Sequence, residues 1–171
     1  MNKQKGFSLI ELLIVVAIIL IIAAIAIPNL LSARKSANES SAVGSLRTIN
    51  TGEVSFQGKH NAYTCTLANL GPAPGDAYID NMLAGAIAAG TAKSGYFYQP
   101  GTCGAAVAIP PAIAPVTTPV VSYEWWGQPA NQGVTGNSSF CTDTSAVIWK
   151  DVNTPSSGVV CLTNNPRVPI G

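Results

Sequence analysis

From Phe7 to Ile27 the chain runs through 21 residues that are all apolar except Ser8 and Glu11. At about 1.5 Å of rise per residue, a helix of that length crosses the roughly 30 Å hydrocarbon layer of a bilayer. No other stretch constrains the fold as strongly, because these residues belong in a membrane. Glu11 is the exception inside the run. A carboxylate at the bilayer centre costs about 2.5–3.5 kcal/mol, so this one needs a partner. The five residues before Gly6 form a polar leader with Lys3 and Lys5, which keeps the N-terminus on the cytoplasmic side through the positive-inside bias. Cleavage after Gly6 creates an α-amine on Phe7, the positive charge that Glu11 lacks.

Two plainer readings compete. A secretory signal peptide cut after Ala24, Ile25 and Ala26 explains the basic start and the apolar run. Its apolar region, however, needs only about 7–15 residues and has no use for an acid. A simple anchor on a periplasmic domain explains the hydrophobicity and leaves Glu11 without a task.

The chain has 171 residues, 47% of them hydrophobic and only 10% charged, which divides naturally into one membrane helix and one modest domain. Without Lys3 and Lys5 the 9 basic residues fall to 7, against 8 acidic ones, so no basic field for nucleic acid exists. Cys65, Cys103, Cys141 and Cys161 show no C-x-x-C spacing, which argues against zinc or haem. An even count in an exported domain favours two disulfides, and three connectivities are open.

Pro28 removes a helix donor and crowds the carbonyl four residues back, a kink within a helix that otherwise continues. From residue 29 to 57, Leu30, Leu31, Val43, Leu46, Ile49 and Phe56 recur at threes and fours among polar residues, the pattern of an amphipathic helix. Gly58 suits its C-cap. Short helical turns are expected at 64–70 and 80–89. Strands are expected at 94–99, 120–126, 138–142 and 146–150, the last two as a hairpin around residues 143–145. The tail from 151 carries Pro155, Pro166 and Pro169 and reads as loop. Residues 104–120 form an Ala/Pro-rich connection expected to run extended along the surface. The fold class is α+β: a long N-terminal helix, membrane-spanning in its first half and amphipathic in its second, packed on a roughly four-stranded antiparallel sheet.

Lys5, Gly6, Phe7, Ser8, Glu11 and the unbroken apolar run to Pro28 resemble the type IV pilins and their relatives. The resemblance is close over about the first 56 residues and architectural beyond them. It implies a leader, residues 1–6, that a prepilin peptidase removes between Gly6 and Phe7, with N-methylation of Phe7. It implies a filament-core segment at 7–28, an amphipathic half at 29–57 and a globular domain at 58–171. Glu11 is then expected to face a neighbouring subunit's amine during assembly from the inner membrane, with Pro28 as the kink. The implied partners are further copies of the chain, minor pilins and the pilus assembly machinery. The implied location is the inner membrane before assembly and the cell surface after it. The favoured disulfide pairs are Cys65 with Cys103 and Cys141 with Cys161, the second resembling the C-terminal loop that many pilins staple. A pseudopilin of type II secretion and a minor, initiating pilin share the same N-terminal logic and remain the alternatives, with a membrane-anchored periplasmic binding domain further off.

No enzyme motif is present, and no cofactor or resident metal is expected. His60, just past the expected helix end, reads as a solvated loop residue. Asp143 and Asp151 could approach each other across the last hairpin, where a calcium site would resemble that of the major pseudopilins. Trp125 and Trp126 point to opposite faces of a strand, so one is expected in the core and the other exposed.

Overall fold

The computed structural model describes residues 8–72, 76–107, 119–151 and 168–170. The chain forms two compact units, residues 1–34 and 35–171. In the first, helix α1 (Leu9–His60) begins directly after Ser8. From Leu9 to Leu31 every large apolar side chain is at least 47% exposed. That surface has no business in water, and by length and composition the helix is able to cross a membrane. Pro28 lies inside the helix, which continues on both sides of it.

In the second unit α1 presents Ala42, Leu46, Ile49, Glu53, Phe56 and His60 to the interior, spaced by threes and fours along one face. Leu30 and Leu31, assigned above to the same stripe, stand exposed in the first unit instead. Gly58 does not end the helix. The helix runs on to His60, and Asn61 takes the left-handed conformation at φ 54°, its N–H donating to the carbonyl of Gln57 at 2.8 Å. Asn tolerates that region because its short polar side chain bonds locally.

The chain then makes β1 (Tyr63–Thr64), α2 (Leu67–Leu70) and α3 (Asn81–Ala84), followed by a 3-10 turn at Ala89–Thr91. Asp80 caps α3 by accepting from Leu83 N–H at 2.9 Å. Next come β2 (Tyr96–Pro100), β3 (Pro119–Val120), β4 (Glu124–Pro129), β5 (Ser139–Asp143), β6 (Ile148–Asp151) and β7 (Val168–Ile170). The main sheet is antiparallel in the order β2-β4-β5-β6-β7, and β1 pairs with β3 in a separate two-stranded ladder. All four expected strands are present, although residues 120–126 divide between β3 and β4. The fifth strand comes from the proline-bearing tail. Pro169 is tolerated there because β7 is an edge strand with only one side to pair.

The core lies between this face of α1 and the sheet: Leu46, Ile49 and Phe56 pack with Tyr96, Tyr98, Trp125 and Phe140. Both tryptophans are buried, Trp125 at 1% and Trp126 at 4% exposure, contrary to the expectation of one exposed ring. Alternation does turn them to opposite faces, but the far face has its own small cluster of Trp126, Cys141 and Trp149, register partners across β4, β5 and β6.

Candidate functional site

The N-terminal end of α1 carries the first chemistry. Ser8 N–H donates to Oε2 of Glu11 at 2.9 Å. Ser8 and Glu11 thus make the return half of a capping box, a Ser and a Glu three residues apart ahead of an apolar run. Within one chain, then, the acid is engaged by its own helix terminus. Gly6 and Phe7, the expected cleavage and methylation residues, lie outside the described residues.

In the second unit the sheet domain is tied to α1 by buried polar groups. Asn50 donates to Thr142 Oγ1 at 2.8 Å and accepts from the Tyr123 hydroxyl at 3.3 Å. Glu53 is fully buried, on the same helical face as Ile49 and Phe56. Its Oε2 accepts from Thr64 N–H at 3.0 Å and its Oε1 from the Trp125 indole N–H at 2.8 Å. Burial pushes its carboxyl up from 4.5 to about 7, and the two hydrogen bonds, which favour the ionised form, offset only part of that. Sequence reasoning passed over Glu53. The signal was its position, four residues past Ile49 and three before Phe56 on the apolar stripe.

His60 is the last residue of α1 and only 6% exposed, which corrects the solvated-loop reading. Its ring lies 4.3 Å from that of Phe56, and Nε2 is 2.5 Å from Oδ2 of Asp76. Lys59 also pairs with Asp76. The hydrogen bond from His60 and then that from Lys59 hold the Asp76 carboxyl below its usual range. Helix extension by three residues is what brings His60 inward, since it then falls on the Glu53–Phe56 face.

Cys65 and Cys103 form a disulfide, as expected, with Cα atoms 6.3 Å apart. Cys141 is disulfide-bonded as well, while Cys161, the partner expected for it, lies outside the described residues. Cys65, Thr66, Leu67, Ile87, Tyr98 and Trp125 help to wall a cavity of about 450 Å³ beside this bond. Asp143 and Asp151 are not brought together. The register sets Asp143 opposite Glu124 on β4 and Asp151 opposite Ser139 on β5, so the two acids occupy opposite ends of the hairpin. At about 3.4 Å per residue they are separated by roughly four steps of strand, too far to share an ion. Among the described residues no group of three or more metal-ligating side chains occurs.

The fold is that of an apolar helix long enough to cross a membrane, with an acid at its start, continuing into an α+β domain. The family model described as the prokaryotic N-terminal methylation motif matches residues 1–27. A relative, the type IV wide pilus major component PilA4 of Thermus thermophilus, is 49% identical over 70 residues, 41% of this chain and 53% of the relative. The type IV major pilin protein PilA of Myxococcus xanthus is 42% identical over 72 residues, 42% of this chain and 33% of the relative. No solved structure matches. The chain thus carries the prokaryotic N-terminal methylation motif over residues 1–27 and is similar to two type IV major pilins. The chain spans about half the length of one of these relatives and a third of the other.

Proposed function

We propose that this protein is the repeating structural subunit of a type IV pilus. The observation that carries the reading is the N-terminal methylation motif leading into a helix whose apolar side chains are exposed from Leu9 to Leu31. Such a surface is stable in lipid or against copies of itself and nowhere else. In the bilayer, van der Waals packing replaces the hydrophobic effect as the force between helices, and Ala17, Ala23, Ala24 and Ala26 allow close approach. Cleavage after Gly6 frees the amine of Phe7, with residues 1–6 on the cytoplasmic side and the sheet domain across the membrane. The chain then leaves the bilayer by exchanging lipid contacts for those of neighbouring helices, and Pro28 gives the helix a place to loosen.

Glu11 sets the register of that exchange. Within one chain its carboxylate is held by Ser8 N–H; in the filament it turns to the incoming amine, because a carboxylate in an apolar bundle is tolerable only when paired. That both matched relatives are major pilins supports the polymerising role over an initiating one. Mass spectrometry of the mature protein tests the first step, with an N-methylated phenylalanine from position 7 expected. A native protein that retains residues 1–6, or begins after Ala26, refutes it. The Glu11→Ala variant tests the second. It is expected to be cleaved normally and to yield few sheared filaments, and an undiminished filament yield removes the intersubunit role.

A further inference from the structure

We infer that Glu53 is a proton-operated latch: it fastens the segment around β1 and α2 to helix α1, and losing its proton lets that segment open. The inference concerns the sheet domain alone and goes beyond the filament reading. Its basis is geometric. The two donors to Glu53 come from different elements, Thr64 N–H from β1 and the Trp125 indole from β4. Trp125 lines the cavity, and Thr64 directly precedes Cys65 and Thr66, which line it too. Thr64 is further tied to α2, its Oγ1 accepting from Asn69 at 2.8 Å. One carboxyl therefore holds together the helix, the strap from Tyr63 to Leu70 and the floor of the cavity.

The surroundings give that carboxyl little help when it is charged. The titratable groups on the elements around it are two phenols, Tyr123, just ahead of β4, and Tyr63 of β1, whose rings meet edge to face at 5.0 Å, and, two turns further along the same face of α1, His60, which is paired with Asp76. The Glu53 charge and, less strongly, those of Tyr63 and of Asp143 on β5 help burial to push the Tyr123 hydroxyl upward. From α1 itself Asn50 faces the same hydroxyl and is neutral. With no cation among these contacts of the described residues, ionisation leaves a negative charge in the core on two hydrogen bonds. Opening the strap admits water to the charge, so opening becomes easier as the proton is lost. Protonated, Glu53 stays dry and the strap stays down. Other buried acids of this domain lie elsewhere: Glu124, for instance, accepts from Trp126 on the opposite face of the sheet.

Hydrogen exchange of residues 61–71 in the full chain, solubilised in detergent, tests the latch. After correction for the intrinsic rate, protection of the Thr64 amide is expected to fall about 30-fold between about pH 5.5 and pH 8.5. That figure follows from a carboxyl titrating near 4.5 when open and near 7 when closed. The Glu53→Gln variant, which cannot ionise, is expected to lose this dependence. Equal pH dependence in both proteins overturns the latch. Should Glu53→Gln fail to fold, infrared spectroscopy of the native chain decides instead. A buried protonated carboxyl that disappears over the same interval as the protection supports the latch, and a carboxylate ionised throughout overturns it.

Discussion

Replacing Cys65 and Cys103 together by alanine removes a cross-link whose effect should lie almost wholly in the unfolded chain. The bond joins residues 38 apart, enclosing α2, α3, the 3-10 turn and β2. Loop closure over that length amounts to about 13 cal/mol/K, or roughly 4 kcal/mol at room temperature. The folded-state loss is small by comparison. Both cysteines are only half-buried, so alanine leaves no sealed void. The backbone near Cys103 stays anchored by Gly101 N–H to Glu124 O at 2.8 Å and Gly104 N–H to Ser122 O at 3.0 Å. The strap near Cys65 keeps the bond from Thr64 N–H to Glu53. The expected outcome is thus a folded domain weaker by about 2–4 kcal/mol, with a steeper denaturant dependence because the freed chain exposes more surface. Urea unfolding of the detergent-solubilised chain, followed by tryptophan fluorescence, measures both quantities, and Cys141 keeps its own bond throughout. A loss below about 1 kcal/mol with unchanged slope would refute the reasoning, since a chain constrained elsewhere over the same span gains nothing from this link.

Phe56, fully buried between α1 and the sheet, is expected to cost about 3–5 kcal/mol as Phe56→Ala, read from the same urea curves. Gly44 and Gly52 should respond oppositely to alanine. A Cβ at Gly44 meets nothing within 4 Å, whereas one at Gly52 lies 3.2 Å from Ile79 Cγ2. Gly44→Ala should therefore gain up to about 1 kcal/mol from helix propensity, while Gly52→Ala loses part or all of that gain to crowding; equal gains in thermal unfolding would show that Ile79 yields freely. Glu53 adds a pH dependence of definite sign. Its folded pKa, about 7, exceeds the unfolded 4.5, so the folded state binds the extra proton between those values. Its contribution is full below about pH 4.5 and is lost as pH rises, by about 3 kcal/mol once past 7. Unfolding free energies of native protein and Glu53→Gln across that window measure it, and parallel curves would contradict the assignment.

Much of the molecule was legible residue by residue. The run from Phe7 to Ile27, the acid at position 11 and the threes-and-fours pattern through Leu46, Ile49 and Phe56 are local signals, and they carried the helix. The Ser8–Glu11 capping box is equally local, but a reading of Glu11 as an acid in want of a cationic partner looks past the backbone N–H of Ser8. Glu53 was half legible: its phase on the helix placed it inward, but phase alone does not say what it will meet.

What the sequence by itself determined is what repeats along one axis: an apolar helix long enough to span a bilayer, an amphipathic continuation, four strands and an even set of cysteines. Only the tertiary structure decided that helix α1 runs on to His60, that the His60 ring turns in onto Phe56 and Asp76, that Trp126 finds a second small core, and that Pro169 sits in an edge strand. The physical reason is that periodicity and propensity act between near neighbours. Burial, and the pKa shift it imposes on Glu53, depends on which distant surface closes over a residue, and that surface exists only once β1 and β4 have come to rest on the helix.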